Sequence, residues 1–183
     1  MDNNILQAFF DRKSIRKYKD TPLSKEQIER LVEVALISPS SRNGQPWHLT
    51  VLTNKDLIAR WEKDIVQHFI DENEEWAVKH MESRNNKVFY DAPVAFVITM
   101  TEGSGIDVGI MVQSIAIAAK AMGLDSVILG FPRVTFLDKY EGKWQKELGI
   151  PEDHVYGVSI AVGYADEKGR DRDIDRSKVS YIL

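Results

Sequence analysis

Apolar and polar positions along the chain alternate with two periods, and each period predicts a kind of element. Residues 2–11 place Ile5, Leu6, Phe9 and Phe10 on one face of a short helix. Ser24 opens a second helix, with Gln27 three residues on at the spacing of a capping box. Ile28, Leu31, Val32, Ala35 and Leu36 form its apolar stripe, and Pro39 ends it. From Trp47 to Thr53 the period shortens to two, the pattern of a strand with one buried face. Residues 55–82 are helix-compatible, with Leu57, Trp61, Ile65, Phe69 and Trp76 on a packing stripe. The run 92–100, APVAFVITM, is nearly all apolar and rich in valine and isoleucine, which predicts a buried central strand.

Residues 106–124 have helical length and are apolar on nearly every side, so the core, a partner chain or both must cover this helix. Gly123 supplies its stop. SVILGF reads as a short strand, LDKYEGKWQKELGIP as a helix with a turn, and VYGVSIAVGYA as a second buried strand. The tail from Asp166 is charged, without an apolar period until Val179. No repeat or linker interrupts the pattern. It predicts one α+β domain, residues 1–183, with a mostly antiparallel central sheet flanked by helices.

Composition narrows the function classes. At 183 residues, 43% hydrophobic and 28% charged, the chain has an ordinary globular balance. A net charge of -4 argues against a general nucleic-acid binder, while leaving room for local cation clusters that bind a compact anion. The absence of cysteine excludes disulfides, thiolate metal sites, iron–sulfur clusters and a cysteine nucleophile. Four histidines, at 48, 68, 80 and 154, lack metal-ligand spacing, so no metal site is expected. The first residues lack the basic and apolar regions of a secretory signal, and no apolar run approaches ~20 residues, so a cytoplasmic protein without a membrane segment is expected.

Three polar constellations remain. RKSIRKYK sets five cations, Arg12, Lys13, Arg16, Lys17 and Lys19, into eight residues at a helix end. Arginine's planar fork suits phosphate, although a solvated basic turn also fits. SPSSRNGQPW gathers Ser40, Ser41, Asn43 and Gln45, whose hydroxyl and amide groups suit a heterocycle with alternating donors and acceptors. A turn satisfying its own backbone is the other reading. EKGRDRDIDR puts Arg170 and Arg172 on one side of an extended segment, either as a phosphate clamp or as charges neutralised by the interleaved aspartates. There is no P-loop and no G-x-G-x-x-G.

In their order and spacing, these segments together resemble the nitroreductase family of FMN-dependent NAD(P)H oxidoreductases, through residues 11–52, 107–133 and 157–172. The resemblance implies an intertwined homodimer with non-covalent FMN in two shared sites. It also implies ping-pong transfer from NAD(P)H to small electron-poor acceptors such as nitroaromatics and quinones. Arg12, Lys13, Ser14 and Arg16 match the R-x-S-x-R element at the FMN phosphate, ribityl chain and pyrimidine edge. Pro39, Ser40, Ser41 and Asn43 match the loop lent to the partner's flavin. Leu129 and Gly130 match the strand-end backbone facing the ring, and Arg170 and Arg172 the C-terminal phosphate pair. Asn86 is a further amide candidate for the ring. Where many members place glutamate, this chain has Leu129. FMN would carry the chemistry, so no catalytic acid is expected of the protein, and Arg16 would act electrostatically. A flavin storage or sensing module, or a specialised ene- or flavin reductase of the same family, is the alternative.

Overall fold

The computed structural model describes residues 4–182. Its first helix, α1 (Asn4–Asp11), ends where the cationic run begins; residues 2 and 3 of the expected helix lie outside the described range. Helix α2 (Lys25–Leu36) starts with the expected capping box: Ser24 Oγ accepts from Gln27 N at 3.2 Å, and Gln27 Oε1 accepts from Ser24 N at 2.9 Å. Strand β1 (Trp47–Leu52) leads to helices α3 (Lys55–Asp71) and α4 (Glu75–Glu82), then to β2 (Val94–Met100). Helix α5 (Gly105–Ala121), strand β3 (Asp125–Leu129), the short α6 (Lys143–Glu147) and β4 (Val155–Gly163) complete the regular elements. The expected helix-plus-turn at 137–151 is a 3-10 turn followed by α6.

The four strands pair in the order β1-β2-β4-β3, every pair antiparallel. Successive β2 residues face opposite layers, as a period of two requires. Val94, Phe96 and Ile98 pack with α2 and α5, while Ala95 and Val97 pack with α3, α4 and α6. The second layer centres on Trp61, fully buried, with Phe89 and Trp144 at ring separations of 5.2 and 5.5 Å. Both buried indoles are satisfied: Trp61 Nε1 donates to Thr135 Oγ1 and Trp144 Nε1 to Asp64 Oδ2. Truncating Trp61 to alanine would remove this hub at a cost of about 3–5 kcal/mol. Trp76, expected on the same stripe, is instead 70% exposed, because α3 and α4 are separate helices broken at Glu72–Glu74.

Helix α5 buries Met111, Ile115, Ala116 and Ala119 against the sheet and α2, and α1 packs on it as well. It closes at Gly123, whose φ of +75° allows Leu124 N to reach back to Ala119 O at 2.9 Å. Cover is incomplete: Ile106 and Ile110 stay exposed, as do Ile5, Leu6, Phe9 and Phe10 of α1 and Leu36 and Ile37 at the end of α2.

One irregularity shapes β4. Pairing with β2 shifts between Ile98 and Thr99, so Gly157 is an extra residue opposite them. A Cβ there would lie 2.8 Å from Ile98 O and 2.9 Å from Val108 Cγ1, which no side chain accommodates.

Candidate active site

Segment 12–19 forms no helix because it is spent on the sheet edge. Ser14 bridges Ser126 of β3 in parallel, Ile15 N donates to Ser126 O at 3.1 Å, and Lys19 N donates to Tyr164 O at 2.9 Å. Asp166 N in turn donates to Lys17 O at 2.9 Å, which fastens the start of the C-terminal tail to the same segment. Further along, Lys13 pairs with Asp171, and Glu167 accepts from the Arg16 backbone N–H and pairs with Arg84 at 3.5 Å. At Gly169 the two segments touch: a Cβ would sit 2.5 Å from Lys13 Cβ.

This pairing brings together two cation groups far apart in sequence. Arg12, Lys13, Ser14 and Arg16 line one side of a cavity of about 710 Å³, and Arg170 and Arg172 the other, with Phe9 and Phe10 of α1 at its rim. Burial, and then the neighbouring charge of Arg172, hold the Arg12 guanidinium below its ordinary pKa. Like charges gathered this way suit an incoming anion, and the volume is in the range of cofactor sites. Asp171 occupies Lys13; Asp173 lines the cavity too, yet among the described residues neither Arg12 nor Arg172 is in an ion pair. The residues present therefore fit a phosphate-bearing cofactor.

Arg16 links this cavity to the next. Its Nη1 donates to Ser14 O at 3.5 Å, and it lowers the pKa of His80, after burial and ahead of Arg84. Burial raises the Tyr90 phenol while Arg16 opposes it, so Arg16 sits among Tyr90, His80 and Arg84. Asn86 lies on an exposed turn with φ +58°, its N–H donating to Met81 O; its neighbour Asn85, rather than Asn86, lines the cleft shared with Arg16 and Tyr90.

At the end of β3, Leu129 is buried and its carbonyl accepts from Tyr156 Oη at 3.0 Å. Gly130 is exposed and lines a separate cleft of about 440 Å³ with Trp76, Phe131 and Arg133. The loop Pro39–Asn43 borders neither cavity. It is largely exposed and held both from within and from α5: Ser40 Oγ accepts from Gln45 N at 3.0 Å, and Ser41 N donates to Asp107 Oδ1 of α5 at 3.0 Å. Arg42, Asn43 and Gln45 all adopt positive φ, so the loop is a strained and specific shape. Within one chain the structure thus unites the two arginine clusters and leaves this loop apart.

Glu167, Arg84 and the wall around Trp76 were not singled out from the sequence. Glu167 had a signal, since it precedes the arginine pair by three residues; the exposed indole had none, because its spacing fits a packing stripe equally well.

The sheet enclosed by two helical layers carries a cationic cavity at its edge, and similarity to known proteins specifies the class. A family model described as the Nitroreductase family matches residues 10–164. A protein of Archaeoglobus fulgidus named for NADH dehydrogenase/NAD(P)H nitroreductase activity is 30% identical over 166 residues, covering 89% of this chain and 87% of its own. A nitroreductase with bound FMN from Desulfitobacterium hafniense superposes with a TM-score of 0.94 at 27% identity, each chain covered in full. An FMN-dependent nitroreductase from Clostridium difficile gives 0.83 at 29% identity, again with full coverage of both. The protein is thus an oxidoreductase enzyme. It belongs to the nitroreductase family, whose members are NAD(P)H oxidoreductases. Among the described residues, no helix is long and apolar enough to cross a membrane.

Proposed function

We propose that this protein binds FMN non-covalently and passes reducing equivalents from NAD(P)H to small electron-poor acceptors, quinones and nitroaromatics, by a ping-pong route. The convergence of Arg12, Arg16, Arg170 and Arg172 on one cavity carries this reading. FMN, when bound, supplies the hydride chemistry: it takes the pair of electrons from the nicotinamide and hands them to the acceptor. For a quinone the balance is NAD(P)H plus a proton plus quinone giving NAD(P)+ plus hydroquinone. Arg12 and Arg172 would hold the phosphate, whose charge approaches two, by charge-assisted hydrogen bonds. Arg16, fixed against Ser14 and Tyr90, would counter the negative charge that accumulates on reduction.

The same reading extends to assembly. A second copy would cover the exposed apolar residues of α1, α2 and α5, and the loop Pro39–Asn43, which lines neither cavity of its own chain, would serve the partner's cofactor. The proposed unit is a homodimer with two shared sites, burying above ~2,000 Å² in total.

The test is FMN affinity. Arg172→Ala should weaken FMN binding about tenfold or more, measured by flavin fluorescence quenching, with the fold unchanged. Wild-type affinity in that variant would reduce the tail to a solvated charge run.

A further inference from the structure

Two costs meet on the short segment that leads into β2. Tyr90 and Asp91 both adopt left-handed backbone, with φ of +57° and +56°, a conformation that glycine takes freely and a bulky ring does not. A buried acid holds the turn in place: Glu62 is 5% exposed, and its Oε1 accepts from Phe89 N at 2.8 Å. Lys87 pairs with Asp91 at 2.9 Å and lies 3.7 Å from Glu62 Oε2, while Ala92 N donates to Phe89 O at 3.1 Å. Burial disfavours the charged form of Glu62 and raises its pKa, so neither the anchor nor the turn is a gain in itself.

What the turn achieves is the placement of one side chain. Tyr90 is 7% exposed, belongs to the same core layer as Trp61 and Phe89, and lines a cleft of about 320 Å³ with Arg16, Arg84 and Asn85. Arg16 is the one residue common to this cleft and the cationic cavity of Arg12, Arg170 and Arg172. The pull of its charge on the Tyr90 phenol sets the two groups side by side. Tyr18, the other tyrosine of the cleft, spends its hydroxyl on Ala161 O at 3.3 Å; among the described residues no backbone carbonyl takes that of Tyr90.

Arg16 is otherwise held mainly by its backbone. Its N–H donates to Glu167, whose second oxygen faces Arg84 at 3.5 Å, and its Nη1 reaches Ser14 O only at 3.5 Å. Among the described residues its guanidinium has no carboxylate partner. A long side chain left free must give up rotamer entropy when it turns toward a new charge, and a neighbour that orients it beforehand removes that cost.

We infer that Tyr90 is a positioning residue: its hydroxyl holds the Arg16 guanidinium at the junction of the two cavities, and so sets how strongly the protein favours reduced over oxidised FMN. The inference rests on the functional reading above and adds a residue that tunes its site. Reduced FMN carries more negative charge than the oxidised form, so a guanidinium already aimed at it raises the midpoint potential, and a loosened one raises it less.

The test is the midpoint potential of FMN on the loaded protein, read by spectroelectrochemical titration at neutral pH, beside the Kd for oxidised FMN. Tyr90→Phe keeps the ring in the core and removes only the hydroxyl. It should leave the oxidised-FMN Kd within about twofold and weaken the binding of reduced FMN about three- to tenfold, the worth of one hydrogen bond. For a two-electron couple that fold-change is a midpoint ~14–30 mV lower. Arg16→Ala should lower the midpoint by itself, and in that background Tyr90→Phe should shift it no further, because the hydroxyl has nothing left to hold. A role in packing alone would not depend on Arg16. An unchanged midpoint in Tyr90→Phe, or the same shift with and without Arg16, overturns the inference while leaving the functional reading in place. A protein that takes up no FMN overturns both.

Discussion

Arg16 is asked to do two things, and they separate on substitution. As one of several cations around the cavity it would contribute modestly to holding phosphate; as a charge beside Tyr90 it would act on the reduced state in the proposed reaction. Arg16→Ala is expected to slow single-turnover flavin reduction, followed by stopped flow, more than it weakens FMN binding. An unchanged rate would remove its electrostatic role. His68 poses a different residue-scale problem. It is 7% exposed, packs edge-on against Phe69 at 5.3 Å, and its Nδ1 is buried without a partner. Burial, and then the charge of Lys139, lower its pKa in the fold. The unfolded chain therefore binds the proton first as pH falls, so stability drops below the ordinary histidine value and is regained above it. His68→Phe should flatten the fall in urea-measured stability between about pH 7 and about pH 5. A variant with the wild-type slope would show that His68 is not the group responsible.

At the scale of elements, the site depends on how closely two extended segments approach. Gly169 crosses Lys13 with no room for a methyl group. Gly169→Ala should push the tail outward, lowering FMN affinity several-fold, and should lower the melting temperature as well, because the new Cβ also presses on Ile15, a core residue. Unchanged affinity by equilibrium dialysis would mean that the tail tolerates displacement. The elements themselves were largely legible. The capping box at Ser24, the alternation in β1 and the buried run of β2 are local patterns, and local patterns survive folding. So were the two arginine clusters as phosphate candidates. What brought them together was not legible, because the backbone pairing of Lys17 with Asp166 leaves no periodic trace. Trp76 fits its stripe by spacing, and only the break at Glu72–Glu74 turns it outward. The neighbouring asparagines Asn85 and Asn86 are equivalent in composition, and a left-handed turn decides which one lines the cleft.

Across the whole molecule, exposed isoleucine and phenylalanine on α1, α2 and α5 are the largest unspent source of apolar burial. A dimer that covers them should persist at low micromolar concentration, and dilution should release FMN and unfold the chain together. Light scattering decides this, and a folded, FMN-loaded monomer of about 20.9 kDa would falsify the shared-site model. The fastening of the tail to segment 12–19 also has a consequence for how the enzyme is made. Lys13 and Asp171 are 158 residues apart, and Arg16 and Glu167 151 apart. Nearly all of these 183 residues must leave the ribosome before the two halves of the proposed phosphate cradle can meet, and so wide a loop closes slowly. On the proposed reading flavin loading would be the last event of biogenesis, and a truncated nascent chain, however well its sheet had formed, would emerge without a grip on the cofactor.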